Sequence, residues 1–366
     1  MLTRLYVDNY RCLVNFEMHV PKVAVLLGAN GSGKSSVWEV LVGIQQVIAR
    51  GHAPAAAFPI DTLTAWQAGR DRQRFEVDVE GPQGLYAYQL ALTHERERRR
   101  ARVVQESVSL AGKLLYRSAD GIVSLAGDRP EPTTFSFDSE RAFLGILDPP
   151  KSHPLRWFVD WVRGMRLVQP DPVSVETFSD READTLETNG ENFASYYRGV
   201  QLNEPESAAR AMAELRGVLP GFETLRLEVA GDARALKARF RSDGGAEYEV
   251  AFGQLSHGER AAVVLYVLLH ASRGSSLLFL DEPDNYLALP EIQPWVAQLL
   301  HRVEEGGVQA LVISHHPTVI DYLAPVEAMH FHREDGGPTR LTKMETDLAT
   351  GLTTSEWWAQ GLTDAP

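Results

Sequence analysis

VAVLLGANGSGKSS, residues 23–36, decides the fold. An unbroken apolar run from Val23 to Leu27 enters a glycine-rich turn. Such a run predicts a strand buried on both faces, as in a parallel sheet. Residues 28–35 read GANGSGKS and fit G-x-x-x-x-G-K-S. From 36 to 49 the spacing becomes helical, with Val37, Leu41, Ile44 and Ile48 on one face. Glycines in that turn bring backbone N–H groups close to phosphate oxygens, and the start of the helix adds the positive end of its dipole. Lys34 reaches the β and γ phosphates as a point charge, and the Ser35 hydroxyl ligates Mg²⁺. Gly28 to Ser36, including Asn30, Gly31, Ser32 and Gly33, form the expected cradle for ATP. The strand before and the helix after make a chance glycine-rich turn a poor alternative.

Working outward, residues 276–283 read SLLFLDEP, an apolar strand ending in two acids. Asp281 at the strand's C-terminal end is placed to hold Mg²⁺ through water, and Glu282 to orient or deprotonate an attacking water. Paired acids before proline also suit a plain helix N-cap, but the upstream phosphate loop favours the catalytic reading. About twenty residues earlier, 254–260 read QLSHGER. Ser256 and Gly258 at a helix start offer a hydroxyl and free N–H groups to an anion. The same serine, with Glu259, also spells a capping box, and both roles can coexist.

Away from these motifs the chain is ordinary. It has 366 residues, 44 % hydrophobic and 23 % charged, which excludes disordered and fibrous chains. Its net charge of −13 argues against a surface that coats nucleic acid, so any such contact needs a local basic patch. Cys12 is the one cysteine, so no intramolecular disulfide forms. The opening MLTRLYVDNYRC has no apolar signal core, and the longest apolar run, 261–270, is too short to span a bilayer. The reading is a cytoplasmic protein with no membrane contact.

The pattern along the chain divides it. Residues 2–10 alternate as a half-buried strand, and 51–59 read as a loop. Segments 74–80 and 85–93 alternate around Gly81-Pro82-Gln83-Gly84, a hairpin signal. A strand is expected at 102–110, an exposed connection at 120–138 and a Trp-rich helix at 155–163. A helical region at about 189–218 and two strands at 225–229 and 235–241 follow. The last third alternates: helix 257–272, strand 277–280, helix 290–304, strand 309–313, helix 317–323 and a strand near 327–332. That alternation predicts an α/β core with helices on a parallel sheet. The expected organisation is a core half in 1–60, an antiparallel sheet with inserted helices in 61–250, a second core half in 251–335 and a tail in 336–366.

LSHGER resembles the signature of ABC ATPases. The opening LYVDNYRCLVNFEMHVPK with its phosphate loop is similar to the N-termini of SMC, RecF-like and OLD-family ATPases. DEPDNYLALPEIQP resembles their extended Walker B and D-loop, and VISHHP their switch-histidine strand. The motif order agrees, and the chain is identified as a stand-alone ABC-type ATPase of the SMC/OLD-like branch, the AAA-21 class found in prokaryotic defence operons. The likeness is specific over about 1–50 and 250–335. It implies an SMC-head-like P-loop ATPase core with a mixed β-sheet and an inserted α/β lobe.

The resemblance also implies roles. Two copies would stack head to tail around two ATPs, forming a homodimer or a higher oligomer. Ser256 and Gly258 of one copy would touch the γ-phosphate held by Asp281, Glu282 and the loop of the other. His315 aligns with the switch histidine and His316 with the usual serine before Pro317. Asp284 and Asn285 would form the D-loop. The Q-loop glutamine, which would join the Mg²⁺ site, is placed at Gln169, with Gln67 and Gln105 as alternatives. Arg11 and Asn9 match positions near the nucleotide, against a simple surface role.

Other features lead elsewhere. ERERRRAR at 95–102 could meet nucleic-acid phosphates or be a solvated hairpin edge. Trp157, Trp161, Trp357 and Trp358 could stack on bases but read better as packing aromatics. His301, His330 and His332 lack metal spacing. The functional reading is an ATP-driven switch or sensor controlling a separate effector, such as a TOPRIM-type nuclease, in anti-phage defence. A DNA-repair or DNA-end-sensing SMC-like ATPase is the alternative.

Overall fold

The computed structural model describes residues 1–67, 69–126, 132–271, 277–344 and 352–361. The first third holds β1 (Leu2–Asp8), β2 (Phe16–His19), β3 (Val23–Gly28), α1 (Lys34–Arg50), a short α2 (Pro54–Ala57), β4 (Arg72–Gly81), β5 (Gly84–Glu95), β6 (Arg100–Leu110) and β7 (Lys113–Ala119). The middle holds β8 (Ile122–Leu125), β9 (Thr133–Ser136), α3 (Pro154–Gly164), β10 (Arg166–Val168), β11 (Phe178–Ser179), α4 (Phe193–Asn203), α5 (Pro205–Val218), β12 (Phe222–Ala230), β13 (Ala233–Arg241) and β14 (Glu247–Ala251). The last third holds α6 (His257–His270), β15 (Leu277–Asp281), α7 (Leu289–Glu304), β16 (Gln309–Ile313), α8 (Pro317–Leu323), β17 (Ala328–Arg333), β18 (Thr339–Met344) and α9 (Thr354–Ala359).

These elements form two compact units, each assembled from stretches far apart in sequence. The first comprises Met1–Lys22, Leu27–Met165 and Met329–Lys343; the second comprises Val23–Leu26, Arg166–Ala328 and Met344–Pro366. The expected boundaries at 60, 250 and 335 therefore fall inside units.

The first unit is built on an antiparallel sheet in the order β2-β1-β4-β5-β6-β7-β8-β9. Alternation of apolar and polar residues puts Phe75, Val77 and Val79 of β4 and Tyr86, Tyr88 and Leu90 of β5 on the buried face. The β4–β5 hairpin closes with Gly81 opposite Gly84, as the sequence predicts. Helix α1 buries Val37, Leu41, Ile44 and Ile48. Its Gln45 side chain donates to the carbonyls of Val162 (3.1 Å) and Met165 (2.8 Å), tying α1 to the end of α3. Trp157 stacks on Tyr86 at 4.8 Å, and Trp161 is buried, so these aromatics pack the fold.

Two expectations for this unit are corrected. The stretch read as a loop at 51–59 contains the short helix α2. The stretch read as an exposed connection at 120–138 contributes β8 and β9, with 127–131 outside the described residues. Its composition hid the turn: Asp120 and Gly121 both hold positive φ, 49° and 77°, the geometry of a two-residue hairpin.

In the second unit four parallel strands lie in the order β10-β15-β16-β3, the last represented by Val23–Leu26. All five residues of β15 and of β16 are buried, which explains the apolar runs at 277–280 and 310–313. Helix α6 is buried continuously from Ala261 to His270, the mark of a helix covered on all sides. Trp295 of α7 is fully buried and donates from its indole N–H to Leu265 O at 3.2 Å. A second sheet pairs β12, β13, β14 and β11 antiparallel. Helix α9, in the stretch read as a tail, is fastened to α8: Ser355 donates from its backbone N–H and its hydroxyl to Asp321, both at 2.8 Å. Among the described residues no helix is long and apolar enough to cross a membrane.

Candidate nucleotide site

The phosphate loop lies in the first unit. Gly33 sits at the N-cap position of α1 with φ 109°, and no side chain caps the helix there among the described residues. Its backbone conformation is costly for any residue with a side chain, and a Cβ would meet the Thr339 hydroxyl at 2.5 Å and Cys12 Sγ at 3.0 Å. The helix N–H groups therefore point out of a bare, tightly packed turn, which suits an anion. Lys34 is buried and folds its ammonium back over the loop, donating to Gly28 O at 2.6 Å and Ala29 O at 3.2 Å. Ser35 is exposed, whereas Ser36 is buried beside Cys12. The Ser32 hydroxyl is buried without a hydrogen-bond partner among the described residues. An uncapped helix start, an inward lysine and an orphaned hydroxyl together fit a phosphate group.

Residues near the C-terminus brace this loop, and nothing in the local sequence announced them. The Thr339 hydroxyl donates to Ser32 O at 2.8 Å. Arg333 donates to Gly31 O at 3.1 Å and lies over the Trp66 ring at 5.2 Å. On the other side, Arg11 adopts φ 49° and forms an ion pair with Glu39 of α1 at 3.0 Å. Burial raises the Glu39 carboxyl above its usual range, and Arg11 opposes that shift. Asn9 has no surface role: it is fully buried, accepts from Thr64 N at 3.3 Å, and donates to Arg70 O and Arg72 O at 3.0 and 2.8 Å.

The acid pair lies in the second unit. Asp281 ends β15 and is buried. Strand β10 pairs with β15 so that Val168 faces Leu280, which delivers the next residue, Gln169, to Asp281; the amide donates to Oδ2 at 3.4 Å. Gln67 and Gln105 are engaged elsewhere, with Arg70 and Gln89. Glu282 holds φ 50°, a conformation that costs a non-glycine residue about 1–3 kcal/mol and clusters at functional sites. Its N–H donates to Ile313 O at 2.9 Å, and its carboxylate accepts from Asn285 at 2.8 Å. The bond to Ile313 brings Glu282 to the end of β16, where Ser314, His315 and His316 follow.

The two histidines separate by geometry. His316 is the N-cap of α8, its Nδ1 accepting from Thr318 N at 3.2 Å, while His315 is exposed. Burial raises the Asp284 carboxyl, a shift that a hydrogen bond with Ser314 opposes. The expected capping box is formed: Glu259 N donates to the Ser256 hydroxyl at 3.2 Å, and Ser256 N donates to the Glu259 carboxylate at 2.8 Å. Ser256 remains exposed. Gly258 packs so closely on Tyr286 that a Cβ would lie 2.9 Å from its carbonyl, and His257 meets the Tyr286 ring edge-on at 6.1 Å. The signature helix and the loop after Asp284 are thus neighbours within one unit.

Among the described residues no group of three or more His, Cys, Asp or Glu side chains could hold a metal ion by itself. A Mg²⁺ ligated by one serine, one aspartate, water and phosphate oxygens needs no such group. Four of the five arginines in the 95–102 run pair with three acids. Arg96 pairs with Asp71 at 2.6 Å, Arg98 and Arg102 with Glu95 at 3.6 and 3.0 Å, and Arg100 with Glu140 at 2.7 Å.

Comparison with known proteins agrees with this architecture. The chain is similar to the SMC head domain from Thermotoga maritima (16 % identity, TM-score 0.51), with 94 % of this chain and 99 % of that one covered. It is similar to an SMC head bound to the C-terminal winged-helix domain of ScpA (13 %, TM-score 0.55, 95 % and 99 % covered). A third likeness is an SMC head with an extended coiled coil bound to the C-terminal domain of ScpA, from Pyrococcus furiosus (11 %, TM-score 0.54, 96 % and 98 % covered). No curated protein matches it. Residues 23–321 match the profile of AAA_21, described as "AAA domain, putative AbiEii toxin, Type IV TA system". With the fold of an SMC head and most of its length within that match, the chain belongs to the AAA_21 family of AAA-domain proteins.

Proposed function

We propose that this chain binds and hydrolyses ATP with Mg²⁺, and that two copies close around the nucleotide to signal to a separate effector. The observation that carries the reading is the phosphate loop: a buried lysine turned onto its own loop carbonyls beneath an uncapped helix start. In this scheme Lys34 and the N–H groups of residues 30–36 hold the β and γ phosphates. Ser35, with Asp281 through water and Gln169 beside it, holds Mg²⁺. The ion supplies charge neutralisation between the β and γ phosphates. Glu282 orients the attacking water and takes its proton, and His315 contacts the γ-phosphate. Ser256 and Gly258 reach that phosphate from the second copy, while Asp284 and Asn285 cross the interface.

Two SMC heads with this fold are described with ScpA bound, which supports a head that answers to a protein partner. The family description, a putative AbiEii toxin of a type IV TA system, supports a part in a toxin system; the proposed setting is anti-phage defence in the cytoplasm. The effector is proposed to be a separate polypeptide, a TOPRIM-type nuclease being one form it could take.

Phosphate release from ATP should be slow but measurable and should fall to background in Lys34→Ala. Glu282→Gln should retain ATP and shift native mass toward a dimer or higher oligomer. Hydrolysis unchanged in both variants refutes the assignment. The alternative, a DNA-repair or DNA-end-sensing ATPase, predicts that DNA ends accelerate hydrolysis by the unmodified protein.

A further inference from the structure

We propose that the outward face of the first unit's sheet carries a second phosphate-binding site, lined by Arg70, Arg72, Arg74 and Gln89 and separate from the proposed ATP site. These residues share an open cavity of about 320 Å³ with Asp8, Leu90, Ala91 and Gln105. The registers explain the grouping. Arg74 lies opposite Asp8 of β1 on one side and Ala91 of β5 on the other, and Ala91 lies opposite Gln105 of β6. Small Ala91 leaves a hollow between long polar side chains.

The charges in the hollow are unequal to their partners. Arg70 pairs with Asp8 at 2.7 Å, and Arg74 pairs with Glu76 while lying over the Tyr6 ring at 5.8 Å. Arg72 is exposed and makes no ion pair among the described residues. Arg72 is thus the cation left to bind a phosphate, and guanidinium forks match phosphate geometry. Gln105 donates to Gln89 Oε1 at 3.4 Å, which leaves the Gln89 NH₂ as a further donor.

The site is also held in place. Buried Asn9 grips the carbonyls of both Arg70 and Arg72, so their backbone is fixed before any ligand arrives. In the Arg96–Arg102 turn four arginines pair with three acids, Arg98 and Arg102 sharing Glu95. Three arginines spaced two apart around a cavity with an anchored backbone therefore carry the proposal, and not charge balance alone. The shared chemistry is phosphate, whether in a nucleic-acid backbone or a small phosphorylated molecule.

The test uses the full chain carrying Lys34→Ala, so that the loop's lysine does not contribute. Two probes separate the sources: a fluorescein-labelled 20-nucleotide oligothymidine followed by anisotropy, and tripolyphosphate followed by calorimetry. Arg72→Gln should weaken whichever probe binds by about tenfold, the loss of one charged hydrogen-bonding contact. For the oligonucleotide, the slope of log affinity against log salt should shrink by about 0.7. Arg72→Glu should weaken binding further, and Arg96→Gln/Arg98→Gln/Arg100→Gln should stay within twofold of the parent. Because Arg72 has no ion-pair partner to orphan, Arg72→Gln should unfold like the parent. Oligonucleotide binding with this dependence places a nucleic-acid backbone in the site, and tripolyphosphate binding alone places a small phosphorylated molecule there. Failure of both probes to bind the parent, or equal binding by the Arg72 variants, overturns the proposal.

Discussion

Replacing Asn9 tests how the turn after β1 is held. Asn9 is fully buried at φ 63°. Its side chain accepts from Thr64 N and donates to Arg70 O and Arg72 O, while its own carbonyl accepts from Gln73. Asn9→Ala deletes three hydrogen bonds and strands an N–H and two carbonyls. At about 1 kcal/mol for each net bond, the loss is roughly 3 kcal/mol. Alanine in the left-handed region adds about 1 kcal/mol, giving about 4 kcal/mol in all. Asn9→Gly loses the same bonds but escapes the backbone cost, so it should destabilise less than alanine by about 1 kcal/mol, although glycine is normally the worse choice. Urea unfolding followed by tryptophan fluorescence reads both values. A loss below 1 kcal/mol in Asn9→Ala, or glycine less stable than alanine, refutes the account.

Other expectations follow from the same contacts. Substituting His315 by Ala should lower ATP hydrolysis at least tenfold with unfolding unchanged, whereas His316→Ala, which removes an N-cap, should cost about 1 kcal/mol of stability; paired turnover and unfolding measurements separate the two. His94 is buried, with Nε2 2.9 Å from Gln73 Oε1, and burial holds its pKa below the ordinary 6.5. Its neutral form is therefore favoured by folding. That contribution is present above pH 6.5 and declines as pH falls from 6.5 toward the lower native value, by at most about 1.4 kcal/mol per pH unit. Unfolding midpoints of His94→Gln should show a flatter acid limb than the parent; identical limbs count against it.

The parts that sequence made legible are those where chemistry and periodicity coincide. The strand, loop and α1 at 23–50 were readable because an unbroken apolar run, a glycine turn and a helical repeat follow one another. Strand β16 and helix α8 fall on the expected residues for the same reason. What stayed hidden depends on residues distant in the chain. The resemblance alone places Gln169 at the Mg²⁺ site; its contact with Asp281 is made by the parallel register of a three-residue strand, 112 residues away. Thr339 and Arg333 brace a loop about 300 residues earlier, and no local pattern marks either. Strands β8 and β9 were obscured because their Ser, Thr and Gly content is equally suited to a loop.

The capping roles and the proposed functional roles can share the same residues. A serine hydroxyl has two acceptor lone pairs and one donor proton. The cap of α6 uses Ser256 as an acceptor from Glu259 N, so the O–H of this exposed residue stays available to an anion. The same economy orders the histidines. His316 accepts from Thr318 N through Nδ1, which commits that nitrogen to α8. His315, one residue earlier and exposed, has no such duty. Under the proposed function, the cap of α8 leaves His315 rather than His316 for a phosphate. If His316 were the switch, binding nucleotide would have to break the cap of α8, and α9, held through Asp321, would feel that loss. Coupling between nucleotide and α9 should accordingly be visible as a change in Trp357 fluorescence only if His316 moves, and its absence in a nucleotide-binding protein leaves His315 as the residue that acts.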